Sequence, residues 1–140
     1  MRINPHLSFN SQCEAAFEMY AKCLGGKITS MATYGGSPMS EHTPEALHDL
    51  VAHATLDLGE FQITGGDAAP YQYQKPQGFS ILLECGTPTE ADRVFAELAQ
   101  SGTVQLPLQE TFWAARFGML ADQFGIPWMI NCGKAASGRT

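Results

Sequence analysis

The chain has 140 residues, 44% of them hydrophobic and 16% charged, with a formal net charge of −6 at pH 7. That balance supports one domain with a buried core and excludes disorder through its body, which needs low hydrophobicity and high charge. No apolar run approaches the ~18 residues of a membrane span, and no basic stripe displaces counterions, so neither a membrane nor a nucleic acid is expected as partner.

Asn4 to Phe9 reads as a short alternating strand. Ser11-Gln12-Cys13-Glu14 has the form of a capping box, in which the Ser hydroxyl takes the amide three residues on and the Glu reaches back. Cys13, Phe17, Tyr20 and Leu24 recur at helical spacing and predict one buried face, and Gly25-Gly26 ends the helix. Lys27 to Tyr34 reads as a strand, Gly35 to Glu45 as a polar loop, and Val51 to Leu58 as a cleanly alternating strand. His42 and His48, in or beside the loop, are expected to be solvated. Gly59-Glu60 turns the chain into a partner strand, Phe61 to Thr64. Asp67, after Gly65-Gly66, reads as a turn residue bonding its own backbone.

Gly78 to Cys85 is an apolar strand, followed by a second capping box at Thr87-Pro88-Thr89-Glu90. Ala91, Val94, Phe95 and Leu98 form the buried stripe of a helix that Gly102 ends. Val104 to Trp113 and Phe117 to Ala121 read as strands, and Asp122 to Gly125 turns into a last strand, Ile126 to Asn131. Alternation puts Trp128 and Ile130 on the helix side of that strand and Met129 and Asn131 on the other. The tail from Gly133 to Thr140 is small and polar and is expected to fray.

The four cysteines do not suggest a disulfide framework. Cys13 and Cys23 fall ~15 Å apart along one helix, beyond disulfide reach, and no Cys-x-x-Cys pair exists. They read as reduced packing thiols of a cytoplasmic protein. Met1 to Pro5 leads into no long apolar stretch, so no secretory signal is expected.

The order β-α-β-β-β thus occurs twice, over about residues 3–66 and 77–132 of one domain spanning 1–132. The fold class is α+β, with curved mixed sheets around an open cleft. One helix covers one face of each four-stranded sheet and leaves the other free to line something.

Four segments carry a resemblance. They are Pro5-His6-Leu7-Ser8-Phe9-Asn10, His53-Ala54-Thr55-Leu56, Glu110-Thr111-Phe112-Trp113 and the run from Asp122-Gln123-Phe124-Gly125 through Ile126-Pro127-Trp128-Met129-Ile130-Asn131. With the doubled element order, they resemble the PhnB-like branch of the vicinal-oxygen-chelate superfamily of glyoxalases, bleomycin-resistance proteins and dioxygenases. Some relatives carry the label of a demethylubiquinone methyltransferase. A methyltransferase needs a glycine-rich loop between strand and helix. Gly25-Gly26, Gly35-Gly36 and Gly65-Gly66 are pairs only, and none lies there.

The resemblance implies metal-ligand positions on the first and last strands of each half, which map here to His6, Thr64, Phe79 and Met129. Only His6 is a strong ligand for a divalent ion, so no such metal site is expected and no cofactor is implied. An altered set could be built from His6, His53 and Glu110. His53 and His6 read equally as histidines bonded to neighbours. Trp113 reads as a pocket wall or a contact with a second copy, and homodimers are what the resemblance implies. Cys13, near a helix start, reads as a packing thiol. No Gly-x-Ser-x-Gly elbow, phosphate loop or His-Glu-x-x-His motif is present, so no catalytic group is assigned. The reading is a small-molecule-binding protein with a metal-free cleft lined by His6, His53, Thr64, Phe79, Glu110, Trp113 and Met129. The alternatives are a metal-dependent lyase or dioxygenase and a non-catalytic interaction module.

Overall fold

Alternation in the first strand sets the plan of the first half. The computed structural model describes residues 1–135. In β1 (His6–Phe9), Leu7 and Phe9 are buried while His6 and Ser8 are exposed. Helix α1 (Cys13–Leu24) buries Cys13, Ala16, Phe17, Tyr20 and Cys23, and the Phe17 and Tyr20 rings lie 6.1 and 6.5 Å from Phe9. Each such aromatic or Leu side chain contributes roughly 1.5–3 kcal/mol by leaving water. Leu24, expected in this stripe, is only half-buried, and Cys23 takes its place. Gly25 closes the helix at φ 73°, as the glycine pair implied.

Strands β2 (Lys27–Thr33), β3 (Val51–Asp57) and β4 (Gln62–Asp67) complete a sheet of order β1-β4-β3-β2. β1 runs parallel to β4, and the other pairs are antiparallel. β4 continues past the expected Thr64 because Gly65 and Gly66 pair with Leu7 and Ser8. A Cβ on Gly65 would stand 2.9 Å from the Phe17 ring, so only glycine lets the helix lie this close. His48 is not solvated: it is half-buried, and its Nε2–H donates to the Thr43 carbonyl at 2.9 Å.

The expected capping box at Ser11 does not form. Ser11 adopts φ 65°, and Gln12, at the cap position, makes no side-chain cap bond. The buried Asp67 carboxylate caps the helix instead, accepting from Cys13 N at 3.0 Å and from Val51 N at 2.9 Å. One anion therefore joins the start of α1, the start of β3 and the end of β4. A charge at a helix N-terminus is favoured over a neutral hydroxyl, which is why the distant residue replaces the local one. Asp67 is thus no self-bonded turn residue.

The second half repeats the plan with β5 (Ile81–Cys85), α2 (Pro88–Ala99), β6 (Thr103–Gln109), β7 (Ala114–Ala121) and β8 (Pro127–Gly133), in the order β5-β8-β7-β6. Here the local cap forms: Thr87 Oγ1 accepts from Glu90 N at 3.1 Å, while Glu90 Oε1 reaches one residue past the cap and accepts from Gly86 N at 2.9 Å. Ala91, Val94, Phe95 and Leu98 are the buried stripe of α2. The left-handed residue after the helix is Ser101, φ 58°, not Gly102; a Cβ on Gly102 would meet the Ala121 carbonyl at 2.4 Å. β6 stops at Gln109 rather than Trp113, because Thr111 and Ala114 bond to each other across a turn. Buried Asp122 accepts from the amides of Phe124 and Ile126 and from Trp128 Nε1, at 2.8, 3.0 and 2.9 Å, and Trp128 is core.

Met1–Gln74 and Lys75–Thr140 form two compact units, with one repeat in each. All four cysteines are buried, and none forms a disulfide. Burial pushes the Cys13 thiol up to about 12, with Asp67 and Glu14 adding to the shift, so it packs rather than reacts. Gly133 belongs to β8, and the part of the expected tail from residue 136 lies outside the described residues.

Replacing Asp67 by Ala strands two buried amides and is expected to cost about 3 kcal/mol or more. Ser11→Ala should change stability by about 0.5 kcal/mol or less, the usual surface effect. Urea unfolding of the two variants checks this, and equal losses would contradict the carboxylate cap.

Candidate functional site

The helix-free face of the first sheet is polar. β1 presents His6, β4 presents Thr64 beside it in register, and β3 presents Thr55 and His53. His6 Nδ1 and Thr64 Oγ1 are 2.8 Å apart, and the His6 and His53 rings stack at 6.4 Å with 27° between planes. At 3.5 Å the Pro5 carbonyl lies beyond the usual O–H···O range, so it does not commit the Thr64 hydroxyl proton. The neutral imidazole makes this bond in either tautomer: Nδ1 accepts from Thr64 with Nε2–H facing outward, or Nδ1–H donates with Nε2 as the outward acceptor. Burial first, and the His53 imidazole second, hold His6 below its ordinary 6.5, so it is mostly neutral at pH 7. The sequence candidates His6, His53 and Thr64 are therefore brought together, with a neutral base among them.

The helix-free face of the second sheet is largely apolar. Register places Leu82 beside Met129, Met129 beside Met119, Glu84 beside Asn131, and Asn131 beside Phe117. Their alternates, Trp128, Ile130 and Leu120, are buried on the helix side. Phe79 precedes β5 and, with Met129, Pro127, Gln105 and the Lys75–Ser80 segment, lines a hollow of about 650 Å³. Trp113 lies in the β6–β7 turn with its ring 5.4 Å from Phe117 and 4.8 Å from Phe112. Glu110, also beyond β6, is exposed with Lys134 Nζ 3.8 Å away. Sequence reasoning passed over Glu84, although it interrupts the apolar run Ile81-Leu82-Leu83, and assigned no role to Asn131, whose Nδ2 donates to Glu84 Oε1 at 2.9 Å.

The superfamily's metal does not fit this donor set. His6 pairs with Thr64 on β1 and β4, and Leu82 pairs with Met129 on β5 and β8. The fourth family position is therefore Leu82, not Phe79, which stands before the strand. One imidazole, one hydroxyl, one thioether and one hydrocarbon do not make a divalent site. Among the described residues no three His, Cys, Asp or Glu side chains gather as a metal site needs.

The family described as 3-demethylubiquinone-9 3-methyltransferase matches residues 1–131. The chain belongs to this family. Protein YjdN of Escherichia coli is 34% identical over 139 residues, covering 94% of this chain and 95% of that one. The crystal structure of protein PA1353 from Pseudomonas aeruginosa is 42% identical with a TM-score of 0.89, over 96% of this chain and 99% of that one. A PhnB protein from Bacillus cereus, carrying the same methyltransferase description, is 27% identical with a TM-score of 0.81, over 95% and 100% of the two chains. At the level of fold alone, a glyoxalase/bleomycin resistance/dioxygenase domain from Frankia matches at 13% identity and a TM-score of 0.63, over 96% and 98%. The PhnB-like chain thus has the vicinal-oxygen-chelate fold that its element order resembles. No helix among its described residues is long and apolar enough to cross a membrane.

The depressed His6 value gives a signed expectation. Its neutral form is the favoured one in the fold, so its contribution to stability is present above 6.5 and is lost as pH falls below it. Titration by imidazole NMR should give a His6 midpoint below 6.5 that rises in His53→Gln but stays below 6.5, because burial is the larger cause. A wild-type midpoint at or above 6.5 would contradict the arrangement.

Proposed function

We propose that this PhnB-like protein binds a small organic molecule on the helix-free side of the second sheet, without a superfamily-type metal ion. The observation that carries the reading is the hollow of about 650 Å³ beside Phe79 and Met129. It is an open hollow rather than an enclosed cavity, and its lining mixes apolar and polar groups as small-molecule sites do. The helix-free face of the first sheet has a polar group of its own, the His6 imidazole held in its neutral form. A neutral imidazole can exchange a hydrogen bond or a proton with a molecule on that face near neutral pH.

The family description names a methyl transfer, and the strand-to-helix junctions do not fit a nucleotide-like methyl donor. After β1, the first helical amide is taken by the Asp67 carboxylate. After β5, Thr87 and Glu90 satisfy the helix start and the Gly86 amide. Neither junction carries the glycine-rich run that cradles such a cofactor: Asn10-Ser11-Gln12 has no glycine, and Gly86-Thr87 has one. Binding, or activation of a substrate by positioning, is the function these residues support.

A thermal-shift screen of untagged protein against metabolites and drugs tests this, alongside metal analysis of the same sample. A ligand at a hundred times its Kd should add about 2.7 kcal/mol and raise Tm by several degrees. The expected result is at least one such ligand and no stoichiometric metal. Stoichiometric zinc, nickel or iron that disappears in His6→Ala would overturn the metal-free reading. Silence across the library would overturn binding in favour of an interaction module.

A further inference from the structure

We propose that the helix-free face of the second sheet recognises an organic ammonium group, with Asn131 Oδ1 and the Glu84 carboxylate as its acceptors. This deepens the small-molecule reading and rests on it. Asn131 Oδ1 is buried and has no hydrogen-bond partner; it is the only such side-chain atom among the described residues. The amide orientation is forced. A carboxylate only accepts, so Nδ2 must face Glu84 Oε1, 2.9 Å away, and Oδ1 must point elsewhere. An orphaned buried acceptor costs roughly 1–3 kcal/mol, and a ligand that brings a donor removes that penalty.

The surroundings say which donor. Glu84 is exposed at the next strand, so the site holds a second acceptor and a full negative charge. The basic side chains nearby in sequence are engaged elsewhere: Arg93 with Glu97, Arg116 with Asp92, and Lys134 with Glu110. No basic residue among the described ones pairs with Glu84. A neutral alcohol or amide would satisfy Asn131 and leave the charge of Glu84 unmet. A carboxylate or phosphate would be repelled. An ammonium group brings several N–H donors and the opposite charge, so it meets both acceptors at once.

The aromatic neighbours favour the same class. Phe117 faces Asn131 across the β7–β8 pair, and the Trp113 ring lies 5.4 Å from Phe117. Aromatic ring faces attract cations, Trp most strongly. Leu82, Met119 and Met129 continue the face beside these groups and offer contact to an apolar body. The ligand class is therefore an amine, protonated at neutral pH, that carries an aromatic or aliphatic group.

Benzylamine, benzyl alcohol and benzoate form a matched set of probes with one ring and three head groups. Titrations of the intact protein at pH 7, read from the Asn131 side-chain amide and the Trp113 indole N–H by NMR, give the affinities. Benzylamine should shift both signals and bind at least tenfold more tightly than benzyl alcohol, with benzoate not binding. Glu84→Gln keeps a partner for Asn131 and removes only the charge. It should weaken benzylamine at least tenfold and leave benzyl alcohol unchanged. Equal or tighter binding of benzyl alcohol or benzoate would overturn the ammonium assignment and leave small-molecule binding intact. So would an immobile water on Asn131 that saturating benzylamine does not displace. No binding of benzylamine overturns the assignment whatever the thermal screen finds, and a silent thermal screen beside it overturns both.

Discussion

One helix for four strands is the constraint from which the rest follows. In each half the first strand and the strand after the helix run the same way at opposite edges of the sheet, as the orders β1-β4-β3-β2 and β5-β8-β7-β6 require. The connection must cross a sheet face, and a helix of twelve residues, about 18 Å long, makes that crossing. The apolar alternates of every strand then belong on the helix side. Leu7, Phe9, Leu56 and Ile63 lie there in the first half, and Leu120, Trp128 and Ile130 in the second. Among the described residues, neither half has a second helix to cover the opposite face.

The two sides differ in how completely their polar groups are met. On the helix side, buried carboxylates are saturated: Asp67 takes two amides, and Asp122 takes two amides and an indole. These bonds fix strand ends and turns and make the sheet a firm support. On the uncovered side, His6 keeps a ring nitrogen in reserve and Asn131 keeps an unmet oxygen. Satisfied groups hold a fold together, whereas unsatisfied ones on a firm support are where a ligand gains affinity.

Much of this was legible in the sequence. The element order and the stripe Ala91, Val94, Phe95, Leu98 follow from period alone, as does the inward Trp128. The grouping of His6, His53 and Thr64 followed once alternation was combined with the family's strand positions. Other features depend on partners far away in the chain. Ser11 offered a local cap, but Asp67, fifty-four residues beyond Cys13, holds a charge and displaces it. Phe79 was taken for the fourth family position because strand pairing is invisible without register, and register selects Leu82. Trp113 was drawn into a strand that Thr111 ends by turning the chain. The orphaned oxygen of Asn131 had no signal in the sequence, since hydrogen-bond satisfaction is decided only in three dimensions.

Methionine methyl groups report most directly on whether the uncovered faces take a ligand. Met119 and Met129 sit on the helix-free face of the second sheet, and Met19 sits on α1. In methyl NMR of protein labelled at methionine, a small molecule that raises Tm should move Met119 and Met129 and leave Met19 in place. Stabilising molecules that move Met19 while leaving Met119 and Met129 untouched would contradict a binding face on the uncovered side of the sheet.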